Sequence, residues 1–452
     1  MSMATSIRLL DFQTAPMRAF HLSWLAFFLC FFGWFGIAPL MAIIREELAL
    51  TQAQIGNLII ASVSVTVLAR LFVGWLVDRI GPRITYTYLL IGGALPVIFI
   101  GLSESYETFL LFRLAIGVIG AAFVVTQYHT SVMFAPNIVG TANATSAGWG
   151  NLGGGVTQMV MPALFAMFVS IGFLEADAWR YAMVVPGVAM ILCGIAYYKW
   201  TTDFPEGNIG DLGKADLGYQ KREKAEGKGA LWAALKDRRV WALFLLYGAC
   251  FGIELTINNV AAIYYHDHFQ LDLKTAGLIA GLFGLMNLFA RSLGGYFGDK
   301  AGMKWGLNGR VKFLGALVLA EGLSLLLFSQ MSLLSLAVGS MIVFSLFVQM
   351  AEGATFSVVP FVNKKAIGTV SGIVGAGGNA GAVMAGFFFT METITYGEAL
   401  ALLGGVVAVS SASSLLIKFS PQDEKEAKVD IANSSKGQVI QPEVEPEETA
   451  SV

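Results

Sequence analysis

Runs of about 20 apolar residues recur along this chain, each long enough to cross a hydrocarbon core about 30 Å thick. Twelve are legible, at roughly 19–44, 55–78, 84–103, 108–133, 139–171, 179–201, 239–265, 274–298, 311–329, 332–359, 366–391 and 396–418. In lipid every backbone N–H and C=O must be satisfied within the protein, and runs of this length do so as helices. The expected fold class is therefore an all-α membrane protein with twelve transmembrane helices. Composition agrees, since 56% of the 452 residues are hydrophobic and only 13% charged, too apolar for a soluble globule. A net charge of −2 leaves no electrostatic footprint for nucleic acid. Cys30, Cys193 and Cys250 fall inside apolar runs without metal or redox spacing. The partner this sequence demands is a lipid bilayer.

The runs fall into two sets of six. Residues 1–18 form an N-terminal segment, 19–201 a first half, 202–238 a polar linker, 239–418 a second half and 419–452 a tail. The tail is rich in Glu, Lys, Ser and Gln, with too little apolar surface to order itself, so disorder is expected there. Basic residues of short loops set orientation. Arg8, Arg18, Arg79, Arg83, the linker lysines and arginines, Lys300, Lys304, Arg310, Lys312, Lys364 and Lys365 all fall on one side. The alternate loops carry Glu46, Glu47, Glu104, Glu107, Glu175, Asp177, Asp267, Asp272 and Glu398. Both termini are expected in the cytoplasm, and the membrane is expected to be the inner (cytoplasmic) one.

A repeat relates the halves. Arg70 precedes Gly74, Asp78, Arg79, Gly81 and Arg83; Arg291 precedes Gly295, Asp299, Lys300, Gly302 and Lys304 at the same spacing. From the first glycine both copies fit G-x-x-x-D-[RK]-x-G-x-[RK]. A second repeat pairs Gly140-Thr141 … Gly150-Asn151 with Gly368-Thr369 … Gly378-Asn379. In each repeat the partners lie six spans apart. This predicts two parallel, pseudo-symmetric six-helix halves with a site between them near mid-membrane. Eight residues of helix put Arg70 and Arg291 about 12 Å inside the aspartate of their own motif. Charge at that depth is costly and usually functional, and on placement alone each arginine either binds an anion or pairs with a buried carboxylate. Gly148-Trp149-Gly150-Asn151-Leu152-Gly153 reads G-x-G-x-x-G, but it lies inside a span with no preceding strand, which rules out a dinucleotide site. Its glycines suit close helix packing. No nucleophile–base pair or zinc spacing appears, so an enzyme has no residues to rest on, and no cofactor is called for.

The G-x-x-x-D-R-x-G-x-R loop resembles the cytoplasmic loop motif of the major facilitator superfamily, and Arg113-x-x-x-Gly117-x-x-Gly120 resembles its fourth-helix motif. Ala147-Gly148-Trp149-Gly150-Asn151-Leu152-Gly153-Gly154-Gly155 closely resembles the nitrate-signature helix of the nitrate/nitrite porter family, and 375–381 its second copy. The stretches around Glu254-Leu-Thr-Ile-Asn258-Asn259, Asn287-Leu-Phe-Ala-Arg291 and Glu352-Gly-Ala-Thr-Phe356 resemble the assimilatory branch, which includes plant high-affinity nitrate transporters.

That resemblance implies a monomeric secondary transporter importing nitrate, with nitrite as a second substrate, by alternating access. Nitrate is planar and singly charged, and its oxygens only accept hydrogen bonds; a guanidinium grips two of them at once. The resemblance assigns the anion to Arg70 and Arg291, with Asn151 donating to it and its repeat mate Asn379 as a weaker candidate. Tyr247, Phe251, Glu254 and Asn258 fall on one helix face; by the same resemblance Tyr247 donates to the anion and Phe251 walls it, and Phe123 is a similar wall or simply core. Gly74, Asp78, Arg79, Gly81, Arg83, Gly295, Asp299 and Lys304 are expected at the cytoplasmic gate, with Asp78–Arg83 and Asp299–Lys304 as latches. One negative charge entering an inside-negative cell costs about 2.3 kcal/mol per 100 mV, so uphill import needs at least two protons per nitrate or exchange for another anion. Glu352 and Glu254 are the proton-carrying candidates, unless they only balance the arginines. The expectation is nitrate/proton symport; the alternatives are nitrate/nitrite exchange, a nitrate sensor that does not transport, and a carrier of another small anion.

Overall fold

The computed structural model describes residues 3–134, 139–209, 232, 234–363, 367–391 and 393–435. The expected loop charges Lys214, Lys221, Arg222, Lys224, Lys228, Lys364 and Lys365 lie outside the described residues, as does the side chain of Asp78. The fold is helical, with ten segments among the described residues long and apolar enough to cross a membrane and a shorter one at Gly372–Phe388. One of the ten, Leu273–Ser329, is broken at Gly306 (φ 72°) and so supplies two helices. This recovers the twelve expected: α1 (Ala15–Phe35, continued by a turn into Met41–Glu47), α2 (52–80), α3 (82–102), α4 (Tyr106–Met133), α5 (Val139–Ser170), α6 (Glu175–Trp200), α7 (Arg238–Phe269), α8 (273–305), α9 (307–329), α10 (Leu334–Val358), α11 (Ile367–Phe388) and α12 (Tyr396–Leu416). A further helix, α13 (Pro421–Ser435), follows.

Local chemistry fixes the starts of these helices. At the face away from the termini, Thr51, Ser105 and Thr395 close capping boxes that begin α2, α4 and α12. Asp272 caps α8 by accepting from Lys274 N and Thr275 N, both at 3.0 Å. Each such cap satisfies backbone donors that a helix cannot satisfy itself.

At the terminal face the two halves use one device. Gly81 takes φ 82° between α2 and α3, a conformation closed to ordinary L-residues, and Pro82 opens α3 where its missing N–H costs nothing. Asp203, just past α6, accepts from Arg83 N at 2.9 Å. In the second half Gly306 makes the break, and Glu424 of α13 accepts from Leu307 N and Asn308 N at 2.7 and 2.9 Å. Each half thus caps its third helix with a carboxylate from beyond its sixth. Two expectations are corrected here. The structural counterpart of Gly81 is Gly306, four residues past Gly302, because α8 continues helically through the motif. Residues 421–435 of the tail are helical, since Glu424 has a partner and Phe419 and Ala427 bury apolar surface.

The halves meet chiefly toward the face away from the termini. Arg45 at the end of α1 pairs with Asp267 of α7 through two bonds of 2.5 and 3.0 Å. Gln52 of α2 donates to the carbonyls of Met391 and Ile394 at 3.3 and 3.0 Å. Gly155 of α5 lies against Gly284 of α8 so closely that a methyl on it would come 2.6 Å from the Gly284 Cα. That face is closed.

Candidate functional site

Interruptions in the helices place the site. A 3-10 turn at Met286–Leu288 breaks α8 just before Arg291, and another at Val118–Ala121 breaks α4 just before Phe123. Such turns loosen helical geometry where side chains must be re-aimed. In each half a glycine then seats an aromatic ring: a methyl on Gly150 would strike Phe27, and one on Gly378 would strike Phe251. The second repeat is therefore a packing device in both halves, α5 on α1 and α11 on α7.

Arg70 lies between the halves. Its guanidinium carbon sits 5.4 Å from the ring centroid of Phe123 and 5.7 Å from that of Phe251. One nitrogen donates to Gly375 O of α11 at 3.1 Å. Nε and the other terminal nitrogen are buried with no hydrogen-bond partner, and no carboxylate of the described residues pairs with this arginine. A buried donor left unpaired costs about 1–3 kcal/mol, more when charged, so the arrangement calls for an acceptor from outside the protein.

Arg291 differs. It is buried and donates to Glu352 Oε2 at 2.5 Å and to the Tyr247 hydroxyl at 3.0 Å. Tyr247 stacks on Phe251, with centroids 5.2 Å apart, and meets Phe356 edge-on. The stacked Tyr247–Phe251 pair links the two guanidiniums, Arg291 bonding the Tyr247 hydroxyl and Arg70 lying over the Phe251 ring. The Tyr247 hydroxyl accepts from Arg291 here.

The remaining candidates surround this pair. Asn151 donates to Glu254 at 3.4 Å and Asn287 donates to the other Glu254 oxygen at 2.7 Å, so the Asn151 amide reaches across the halves to a carboxylate. Asn379 is fully buried with neither side-chain atom partnered, and it follows Gly375 by one helical turn. Asn258 offers its carbonyl to Gln158 at 2.7 Å. Sequence reasoning missed Arg113 as a link between the halves: it donates to Trp34 O and to Asn259 Oδ1, both at 2.9 Å.

The gate residues are arranged differently from expectation. Asp299 pairs with Arg310 of α9, which also donates to Ser357 O of α10 at 3.0 Å. The expected partner Lys304 lies over the Trp305 ring at 4.9 Å, because α8 runs on to residue 305 and turns it away. Arg83 donates to Tyr198 O at 2.8 Å and covers that residue's ring, binding α3 to α6. Gly74 and Gly295 have ordinary contacts or space around them, the nearest atom to an added methyl being at 3.8 and 3.9 Å. Arg79 lies exposed on α2.

Residues 23–386 match the sequence profile of the Major Facilitator Superfamily. High affinity nitrate transporter 2.5 of Arabidopsis thaliana is 40% identical over 420 residues, covering 93% of this chain and 83% of that protein. The chain belongs to the nitrate/nitrite porter family of the major facilitator superfamily. Nitrate transporter 2.1 of Chlamydomonas reinhardtii is likewise 40% identical, over 82% of this chain and 68% of its own. The nitrate/nitrite transporter NrtP of a Picosynechococcus species is 30% identical over 81% and 83% of the two chains. Among solved structures, a bacterial homologue of the lysosomal transporter Spinster, inward-facing and unoccupied, superposes with a TM-score of 0.62 at 16% identity, over 95% of this chain and 99% of that one. Its occupied, inward-facing form gives 0.64 at 17% identity, over 93% and 96%. These two share the fold. As a porter of this family the chain is a multi-pass membrane transporter and not an enzyme.

Proposed function

We propose that this porter imports nitrate, and nitrite as a second substrate, across the cytoplasmic membrane by alternating access coupled to protons, with both termini in the cytoplasm. The observation that carries the proposal is Arg70: two buried guanidinium nitrogens without a partner, walled by Phe123 and Phe251 at the junction of the halves. A planar oxyanion supplies the two acceptors that a guanidinium fork requires.

Coupling follows from Arg291. Nitrate and Glu352 compete for one guanidinium, since the carboxylate already holds one of its terminal nitrogens and the Tyr247 hydroxyl the other. With Glu352 protonated on the outer side, its attraction for Arg291 falls and both arginines close on nitrate. When the proton leaves toward the cytoplasm, the carboxylate reclaims Arg291 and nitrate is released. The structure, with the Arg291–Glu352 pair formed and the face away from the termini closed, fits the state after release. Glu254 is held by two amides, Asn287 of its own half and Asn151 of the other, which suits it to tying the halves together.

The test is uptake of labelled nitrate into proteoliposomes free of internal nitrate and nitrite. An inward proton gradient should drive accumulation. Uptake that requires internal nitrite would overturn the proton-coupled mechanism in favour of exchange.

A further inference from the structure

We infer that Glu321 of α9 is a second proton-carrying carboxyl of this porter, a role that rests on the proton-coupled reading above. Glu321 is fully buried, and neither of its carboxyl oxygens has a hydrogen-bond partner. The cluster around the two arginines does not account for it, since Arg291 is taken by Glu352 and Tyr247. A carboxylate sealed in a helical bundle without a cation or a donor is among the costliest groups a membrane protein can hold. It is tolerable only as the neutral acid, which makes it a group that releases its proton only when something else moves.

Its surroundings connect it to the site. α9 runs antiparallel beside α10, tied to it where Arg310 donates to Ser357 O at 3.0 Å, and the titratable side chain of that neighbouring helix is Glu352. Toward α12 the neighbouring Gly322 is packed tight, with an added methyl 2.4 Å from Ala408 N, and the one charged residue of that helix is Glu398 in its first turn. On α10, Ser345, Gln349 and Glu352 follow at i, i+4 and i+7, which aligns them on one face. Gln349 is fully buried with both side-chain atoms unpartnered. Glu321, Gln349 and the Oε1 of Glu352, all buried without a hydrogen-bond partner, thus lie at increasing depth from the outer side along these two neighbouring helices, a line of unsatisfied polar groups inside the second half. Glu321 lies eight residues from the outer end of α9, about 12 Å along the helix, so the line runs from the outer side toward Arg291. Uphill import needs two protons per nitrate. Glu352 carries one and Glu321 the other: Glu321 takes up a proton as its acid from the outer side and gives it up inward along this line.

The test is electrical. With wild-type protein on a solid-supported membrane, nitrate should evoke an inward positive current, and its absence would defeat the proton-coupled reading itself. Glu321→Gln keeps the shape and removes the titration. It should reduce the nitrate-evoked current at least tenfold, leaving one proton per nitrate, while nitrate counterflow stays within twofold of wild type; Glu321→Asp should restore the current. An undiminished current in Glu321→Gln, or loss of counterflow with the current, would overturn the assignment of a proton to Glu321.

Discussion

Arg291 and Glu352 are joined by a 2.5 Å hydrogen bond with both side chains buried, whereas Arg70, its repeat mate, pairs with no carboxylate among the described residues. The repeat therefore places two like arginines in unlike settings, one pre-engaged and one open. Glu352→Gln preserves a hydrogen-bond acceptor but removes the negative charge that competes with the anion. Nitrate counterflow should survive with equal or tighter apparent affinity, and stimulation by an inward proton gradient should fall, since only the proton assigned to Glu321 remains. Uptake by this variant at several external pH values decides it; undiminished stimulation would remove Glu352 from the coupling.

Arg70→Lys tests the open arginine. A lysine keeps the charge but replaces the fork with one point donor. Losing a hydrogen bond to a charged group costs about 1.5–3 kcal/mol, which is roughly ten- to a hundredfold in nitrate affinity. The structure itself should tolerate the change, because Arg70 makes a single hydrogen bond, to Gly375 O. The expected result is correct membrane insertion with at least a tenfold fall in nitrate uptake, measured side by side with protein abundance in the membrane.

Much of this was legible in the chain. Apolar runs of membrane length announce helices whatever they pack against, and an arginine two turns inside such a run is conspicuous by its cost. The identity of each arginine's partner was not legible. Glu352 reaches Arg291 across 61 residues and Asn259 reaches Arg113 across 146, and such contacts depend on helix rotation that periodicity in an all-apolar segment does not record. The same limit hid Glu321, one acidic residue in an apolar run with no motif around it. The span expected to end at 298 runs on as helix to 305, because the loop motif repeats in sequence while the turn itself needs positive φ, which Gly306 supplies. The helical tail was missed because composition registers the low apolar content of 421–435 but not the backbone donors of α9 that await Glu424.

The closed face depends in part on Arg45 and Asp267, which tie α1 to α7. The pair is partly exposed, with side chains 28% and 27% accessible, so its worth is about 0.2–1 kcal/mol. Arg45→Gln or Asp267→Asn should shift the balance toward opening at that face by no more than about fivefold. Labelling of a cysteine placed at Ile55, which lines the approximately 340 Å³ cavity beside the pair, should be faster in either single variant. The exchanged pair, Arg45→Asp with Asp267→Arg, should return it toward the wild-type rate. No change in labelling would mean that the ion pair does not hold this face shut.

The carboxylate caps at the terminal face make separable contributions to stability. Glu424→Ala strips Leu307 N and Asn308 N of their acceptor, and loss of a helix cap costs about 1 kcal/mol. Gly306→Ala is worse on two counts: φ 72° disfavours any side chain, and the new methyl would lie 2.2 Å from a Glu424 oxygen. Strain at such a position costs about 1–3 kcal/mol. If the clash with Glu424 contributes to that loss, combining Gly306→Ala with Glu424→Ala should be less damaging than the sum of the two, because the methyl then has room. Unfolding temperatures of the three variants in detergent, taken at one protein concentration, measure this directly. Strict additivity would show that Gly306 is needed for its backbone conformation alone, with α13 bound elsewhere.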